Sequence, residues 1–189
     1  SHIFYHDDVR RHGSGNAGLT NFYRNYGAKC APMVIAFDML KAVGAVLLGN
    51  YFLGYLLGWG AAGKYFGALF CVIGHMFPVF YGFKGGKGVL VAGGAILAIQ
   101  PVLLPFLALI FLACLLPTGM VSLGSVTMAA AYPLLTLGYC LLRGYAVQDL
   151  LICLVGSVIM AAMVIYMHRS NIQRIRDGKE YRFGRHGKQ

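Results

Sequence analysis

Apolar residues dominate the chain from residue 31 to residue 167, and short polar stretches divide this region into long hydrophobic runs. A helix needs roughly 20 apolar residues to cross a lipid bilayer, and several of the runs approach or exceed that length. The pattern therefore predicts an all-α, polytopic membrane protein built as a helical bundle. The predicted membrane runs are residues 31–57, 65–81, 89–116, 126–142 and 150–167.

The run at 89–116 is interrupted by Gln100, Pro101 and Pro105. Proline removes a helical hydrogen bond and disfavours helix at the preceding residue, so this run is either one kinked helix or two short segments. A single span would put the basic tail at 168–189 on the opposite face from the other basic loops. Charge therefore favours two segments, and we expect about six membrane segments in all.

Charged residues make up 12% of the 189 residues, against about 25% in soluble domains. The net charge is nevertheless +10. Because basic loops stay on the cytoplasmic side of a membrane, we expect the polar motif segments to share the cytoplasmic face. No basic helix is free to enter a nucleic-acid groove, so the charge indicates anionic lipid or substrate as the partner, and no nucleic acid.

The runs together define a single domain over residues 1–189. It divides into a cytoplasmic motif segment at 1–30, membrane segments at 31–167 and a basic cytoplasmic tail at 168–189. The five cysteines lie in or beside apolar runs without CxxC spacing. They are predicted to be small core residues, and we expect no metal site and no disulfide framework.

The first polar motif is GSGNAGLTNFYR at residues 13–24. Its glycines would let backbone N–H groups approach an anion, with arginine as the counter-charge. Thr20, Asn21 and Arg24 would share the opening of a helix, which suits an anion at the helix N-terminus. The alternative is a flexible surface loop, and we favour the phosphate site. The remaining polar candidates in this motif are Ser14 and Asn16.

The second polar motif is GFKGGKG at residues 82–88. It lacks the spacing of a Walker phosphate loop, but the pair Gly85 and Gly86 would let the backbone approach an oxyanion, and Lys87 would supply charge. A tight turn with lysines at the membrane interface is the alternative. Ser122, in a small polar patch at 117–125, is a candidate donor to a phosphate or to the backbone.

Four further polar side chains lie in or beside the spans. His168 and Asn171 fall on one helix face where the last span ends, next to the expected phosphate motifs, which favours a functional role over an ordinary interfacial one. Asp38 and Lys41 are three residues apart, so we expect an intrahelical ion pair with a structural or positioning role. Within the second span, His75 is more simply explained as a packed, hydrogen-bonded residue.

The sequence shows no HEXXH motif, no evident Ser–His–Asp order and no obvious carboxylate base. An enzyme with these residues would have to depend on positioning and on stabilisation of negative charge. A transporter for a phosphorylated or anionic solute is the competing hypothesis. A transporter would place polar groups near the membrane midplane and repeat them in two halves, whereas these motifs lie at one face without a repeat.

The motifs resemble those of the bacterial acyl-phosphate:glycerol-3-phosphate acyltransferases, the PlsY family. Three segments match in order: GSGNxGxTNxxR at 13–24, GHxFPVFxxFKGGKGV at 74–89 and HxxNIxR at 168–174. Shorter matches include FDMLK at 37–41 and the pair Ser122 and Leu123. The resemblance covers essentially the whole chain, and the three motifs together are highly specific.

The resemblance implies a multi-pass enzyme of the bacterial inner membrane, with its active site facing the cytoplasm. It would transfer a fatty acyl group from acyl phosphate to the 1-hydroxyl of sn-glycerol 3-phosphate, giving lysophosphatidic acid and phosphate. The donor's own phosphate would accept the hydroxyl proton, with no acyl-enzyme. The implied partners are these two substrates and membrane lipid, with no cofactor and no obligate protein partner.

The resemblance also implies residue roles. The residues for the phosphate of glycerol 3-phosphate are Ser14, Arg24, Lys87 and Ser122. Those for the acyl phosphate are Asn16, Thr20, Gly85, Gly86, His168 and Asn171. Asn21 would brace the first loop. Members of the family carry one more transmembrane helix before the first motif, and we expect that helix to be missing from this sequence.

Overall fold

The computed structural model describes residues 5–183 as a helical bundle, so the outermost residues of the predicted segments 1–30 and 168–189 lie outside the described part. A seven-residue π-helix, Asn50–Leu56, continues the second α-helix without a break. The α-helices of the described residues are α1 (Leu19–Tyr26), α2 (Ala31–Gly49), α3 (Ala61–Met76), α4 (Val89–Ile99), α5 (Leu103–Thr118), α6 (Val121–Leu142), α7 (Val147–Met167) and α8 (Arg169–Arg176).

Four helical stretches are long and apolar enough to cross a membrane. Helices α4 and α5 are apolar but shorter. Large apolar side chains such as Phe70, Leu134 and Leu142 point outward, as expected where lipid replaces water as the solvent. The structure thus confirms the predicted all-α membrane bundle. The four long stretches are Ala31–Leu56, Ala61–Tyr81, Val121–Leu142 and Val147–Met167.

The run at 89–116 forms two helices, as its prolines predicted. Helix α4 ends at Ile99, and α5 begins at Leu103 after a break at Gln100 and Pro101. Gln100 is 1% exposed, and its Oε1 accepts a hydrogen bond of 3.2 Å from Thr136 Oγ1 on α6. Interruptions of this kind are tolerated inside a membrane protein where neighbouring helices cover them.

Small residues let α2 and α3 approach each other closely. A Cβ added to Gly49 would lie 2.4 Å from the carbonyl oxygen of Gly63, and one added to Gly67 would lie 2.2 Å from that of Ala45. Close backbone contact through small residues is a common way for membrane helices to associate, because burial from water does not drive them together. Glycine at these positions is therefore required by the crossing of α2 and α3.

All six membrane helices approach one cavity at one end of the bundle. Among the residues that line it are Asp38 of α2, His75 near the end of α3, Val89 at the start of α4, Phe111 of α5, Ser122 at the start of α6 and His168 directly after α7. The helices therefore run out and back as three pairs, as the six-segment prediction required. Three predicted starts were too late, because α3 begins at Ala61 and not at 65, α6 at Val121 and not at 126, and α7 at Val147 and not at 150. Ser122 therefore lies in the first turn of α6 and not in a patch between spans.

Candidate active site

The cavity at this end of the bundle has a volume of about 880 Å³. It is the place where the three separated sequence motifs meet. Of the predicted residues, Gly85, Gly86 and Lys41 are not part of its lining. Those that line it are Ser14, Asn16, Thr20, Asn21, Arg24, Asp38, His75, Lys87, Ser122, His168 and Asn171.

Asn21 holds the first motif in shape. Its Nδ2 lies 3.0 Å from each of the carbonyl oxygens of Val9, His12 and Asn16, so its two protons are shared among three acceptors. Its Oδ1 accepts from the backbone N–H of Ser14 at 3.0 Å. The side chain is 3% exposed, so these bonds satisfy a buried amide. These bonds fit the predicted bracing role, and they leave little of the amide free for a substrate.

The loop leads into α1, as the sequence predicted. Helix α1 begins at Leu19 after Gly18, which makes no side-chain cap, so Thr20 lies in the first turn and Arg24 lies one turn later. The Arg24 guanidinium lies 3.9 Å from the centroid of the Tyr181 ring. This cation–π contact holds an exposed cation at the rim of the cavity.

Gly85 and Gly86 pack against the end of α3. Their backbone N–H groups donate to the carbonyl oxygens of Met76 and His75, at 3.2 and 3.1 Å. A Cβ on Gly86 would lie 2.1 Å from His75 Nε2, and one on Gly85 would lie 2.0 Å from the His75 oxygen. These glycines thus set the path of the loop that carries Lys87, and contact between them and a substrate stays a prediction.

The predicted ion pair between Asp38 and Lys41 is present beneath that loop. Lys41 Nζ donates to Asp38 Oδ1 at 2.6 Å. His75 Nδ1 lies 2.9 Å from the same Nζ, so one lysine links the carboxylate on α2 to the imidazole on α3. Because His75 also supports Gly86, this cluster underlies the loop and fits the predicted positioning role.

Lys87 reaches across the cavity to α8. Its Nζ donates to Asn171 Oδ1 at 2.5 Å. Burial lowers the pKa of Lys87 to about 8, with the nearby cations Arg174 and Arg24 acting in the same direction and Glu180 opposing them. The ammonium is therefore still mainly protonated at pH 7 and stays available as a counter-charge.

His168 caps the end of α7 and is 3% exposed. Its Nδ1 lies 2.8 Å from the carbonyl oxygen of Val164. A carbonyl can only accept, so Nδ1 carries the proton. Burial lowers the pKa of His168 to about 4, and the charge of Lys87 adds to this. The ring is thus neutral at pH 7, and its Nε2 is an acceptor.

Glu180 is a site residue that the sequence reasoning missed. Its Oε1 accepts from Ser122 Oγ at 2.7 Å and from Asn171 Nδ2 at 2.6 Å, and its Oε2 accepts from Arg174 Nε at 2.8 Å. Burial alone would raise the pKa of Glu180, but these three bonds outweigh it and hold the pKa below its usual value. The sequence did contain a signal for this residue, because Glu180 is the only glutamate of the chain and lies in the basic tail just after the HxxNIxR motif.

The cavity carries an excess of positive charge. Its carboxylates among the described residues are Asp38, paired with Lys41, and Glu180, bonded to Arg174. Such a surplus suits ligands with more than one negative charge. The cationic side chains that line the cavity are Arg24, Lys87, Arg174, Lys179 and Arg182.

An apolar pocket adjoins the polar cavity inside the bundle. Val89, at the start of α4, lines both of them. The pocket is walled by residues such as Ile96 on α4, Leu107 on α5, Met128 on α6 and Met160 on α7. This pocket has a volume of only about 40 Å³, so it is a small apolar gap beside the anion site and does not by itself hold a hydrocarbon chain.

The fold and the cavity define a class: an integral membrane protein with a cationic cavity, suited to anionic ligands, at one end of a helical bundle. A model of the glycerol-3-phosphate acyltransferase family matches residues 1–178. The chain belongs to this family and is an acyltransferase. The resemblance identified from the motifs is confirmed, and the enzyme hypothesis prevails over the transporter.

Two relatives illustrate the similarity. The glycerol-3-phosphate acyltransferase of Syntrophomonas wolfei is 41% identical over 173 residues, covering 92% of this chain and 82% of that protein. The enzyme of the same description from Streptococcus thermophilus strain CNRZ 1066 is 39% identical over 183 residues, covering 94% and 81%.

Two solved structures are similar to this fold. Both are crystal structures of PlsY, an integral membrane glycerol 3-phosphate acyltransferase, at 36% identity. The glycerol 3-phosphate form has a TM-score of 0.78 and covers 94% of this chain and 83% of that one. The lysophosphatidic acid form has a TM-score of 0.75 and covers 91% and 82%.

Proposed function

We propose that this protein transfers a fatty acyl group from acyl phosphate to the 1-hydroxyl of sn-glycerol 3-phosphate. The products are lysophosphatidic acid and inorganic phosphate. The observation that carries this proposal is the meeting of Arg24, Lys87 and His168 in one cavity that adjoins an apolar pocket. The forms in which the two similar structures were solved, with glycerol 3-phosphate and with lysophosphatidic acid, support the acceptor and the product.

Each substrate has its own set of contacts in this proposal. Ser14, Arg24 and Lys87 bind the phosphate of glycerol 3-phosphate. Ser122 also binds it when the Ser122 hydroxyl donates its hydrogen bond to that phosphate instead of to Glu180. The residues on the acyl-phosphate side are Asn16, Thr20, His168 and Asn171, with Gly85 and Gly86 acting through the path that they give the loop. The acyl chain extends from the cavity past Val89 towards the apolar side chains of the bundle and the surrounding lipid.

The reaction is substrate-assisted. The acceptor hydroxyl attacks the acyl carbon, the new C–O bond forms, the bond to the phosphate oxygen breaks, and the hydroxyl proton passes to the departing phosphate. The side chains support this route, because Glu180 and Asp38 are engaged by neighbouring donors and the pKa of His168 is about 4. The lining residues of the described cavity thus contribute charge and orientation, and the leaving group accepts the proton.

The distribution of basic residues also supports a proposal for the membrane in which the protein lies and for its orientation. Basic segments flank the cavity at one end of the bundle, and positive loops remain on the cytoplasmic side of bacterial membranes. The protein would thus lie in the inner membrane, with the active site facing the cytoplasm. Both water-soluble glycerol 3-phosphate and membrane-bound acyl phosphate would reach it there.

The proposal is tested by phosphate release from palmitoyl phosphate by the purified protein in detergent, with and without glycerol 3-phosphate. We expect release that depends on glycerol 3-phosphate, with one lysophosphatidic acid formed for each phosphate. Release that is independent of the acceptor would indicate a hydrolase. A folded sample that releases none in either case would refute the proposed reaction.

A further inference from the structure

The C-terminal segment Gly178–Phe183 lies over the cavity and joins parts of the site that are distant in sequence. The backbone N–H of Phe183 donates to the carbonyl oxygen of Gly119 at 2.6 Å, next to the start of α6. The Phe183 ring lies 5.3 Å from that of Tyr23, and the Tyr181 ring supports Arg24. The segment is thereby fixed to α1 and to the α5–α6 turn.

Glu180 occupies the middle of this segment, with its side chain only 6% exposed. Its carboxylate is the acceptor for donors from two helices: Ser122 on α6, and Asn171 and Arg174 on α8. A carboxylate this enclosed must be matched by donors, because an unpaired buried charge is strongly unfavourable.

The hydrogen bonds around Asn171 have a defined direction. Lys87 can only donate, so the Asn171 oxygen must face Lys87, and the amide nitrogen then faces Glu180. The ionised carboxylate can only accept, so it requires that same orientation. Two groups that cannot exchange roles therefore fix the amide between them.

We infer that Glu180 is a positioning residue of the acyl-transfer site: its carboxylate fixes the Asn171 amide and thereby holds the Lys87 ammonium at the cavity. This inference rests on the function proposed above. The negative charge of Glu180 also offsets the cations that surround Lys87. Removing that charge makes the protonated form of Lys87 less favourable, and this consequence is measurable without any turnover.

The charged and titratable groups that face Lys87 come from several elements. Arg24 approaches from α1, Arg174 from α8 and His168 from the end of α7, and each either repels the ammonium or is neutral. Glu180 is the one group among these that favours the ammonium. Replacing Glu180 by glutamine also gives the position an NH2 donor, which would face another donor in either orientation, Asn171 in one and Arg174 in the other.

The test compares Glu180→Gln and Glu180→Asp with Asp177→Asn, which changes an exposed carboxylate of the same tail that bonds only to Gln173 in the described contacts. The first readout is the pH midpoint of Lys87 labelling by acetic anhydride, followed by mass spectrometry. The second is kcat/KM for glycerol 3-phosphate. Detergent-solubilised wild-type protein is the reference for both.

We expect Glu180→Gln to lower the labelling midpoint of Lys87 and to reduce kcat/KM by about tenfold to a hundredfold, the effect of losing a hydrogen bond to a charged group. Glu180→Asp should retain the midpoint and recover part of the rate, and Asp177→Asn should match wild type. An unchanged midpoint in Glu180→Gln, with a rate like that of Asp177→Asn, would overturn the inference.

Failure of the proposed function would look different from failure of this inference. Wild type would then release no phosphate with glycerol 3-phosphate. The labelling midpoints of the four proteins would still report whether Glu180 controls Lys87, because acetic anhydride reacts with the free amine regardless of the natural reaction.

Discussion

Lys87 and Asn171 lie 84 positions apart in the sequence, and a hydrogen bond from Lys87 Nζ to Asn171 Oδ1 joins them across the cavity. Lys87 lies near the end of the glycine-rich loop before α4, whereas Asn171 lies on α8 beyond the last span. The contact therefore brings together two motifs that are separated in sequence by helices α4 to α7. It also places the cation beside the neutral His168 and the bonded Glu180, which determines how the site should respond to pH.

The first prediction concerns pH and Lys87. Since the pKa of this ammonium is about 8, kcat/KM for glycerol 3-phosphate should fall as pH rises through 8, because the protonated form is the one that binds phosphate. Below that value the charge is present and this contribution should level off. The measurement is a pH profile at constant ionic strength. A profile that stays level well beyond pH 9 would show that the charge on Lys87 does not matter.

His168 should behave as a neutral acceptor. With its pKa held near 4, the ring should keep its proton on Nδ1 throughout the neutral range, which 15N NMR of histidine-labelled protein can detect. His168→Ala should lower kcat by about a hundredfold or more, through loss of the group that orients substrate. A ring that titrates near its ordinary pKa, or near-normal turnover in the variant, would remove His168 from this role.

The contact between Gly86 and His75 predicts a steric effect. Gly86→Ala puts a methyl group into the imidazole, so the loop should shift, stability should drop by about 1–3 kcal/mol, and activity should fall. Gly74→Ala is the control, because no atom lies within 4 Å of a Cβ built there. It should not lower stability, and the better helix propensity of alanine should raise it by up to about 1 kcal/mol. Thermal unfolding and turnover check both.

A double variant sharpens that experiment. Gly86→Ala combined with His75→Ala removes the clashing ring, so part of the loss should be recovered if the two positions act through contact. Additive losses would mean that the glycine is required for another reason.

The stacking of Arg24 on Tyr181 predicts an effect on acceptor binding. Tyr181→Ala frees the guanidinium, so the KM for glycerol 3-phosphate should rise by about two- to fivefold, the value of an exposed cation–π contact. Tyr181→Phe keeps the ring and should resemble wild type. Equal effects of the two substitutions would assign the role to the hydroxyl group instead.

The sequence predicted the bundle well because its signals are local. Apolar runs show the spans, and Pro101 shows the break between α4 and α5. The basic loops indicated that the helices run out and back, and this order places the motifs together at one end of the bundle. Intrahelical features such as the pairing of Asp38 with Lys41 were also within reach, since spacing along one helix determines them.

Features that depend on packing between distant segments were not predictable. The bonds of Glu180 require the tail to fold back over α6 and α8, which no spacing indicates. The amides of Gly85 and Gly86 were expected to face an anion, but they are bonded to the end of α3, because the loop passes directly against His75. A glycine backbone can come close to an anion or to another part of the chain. Only the fold shows which of the two lies beside Gly85 and Gly86.

The most direct test of the central claim, that this cavity performs the acyl transfer, compares two lysines of one loop. Lys87 lines the cavity, whereas Lys84 is exposed and outside its lining. Lysophosphatidic acid formed from palmitoyl phosphate and glycerol 3-phosphate would be measured by mass spectrometry for Lys87→Ala and Lys84→Ala, with folding checked by thermal unfolding. We expect Lys87→Ala to lose about a hundredfold or more and Lys84→Ala to retain activity. Equal rates in the two folded variants would contradict the account.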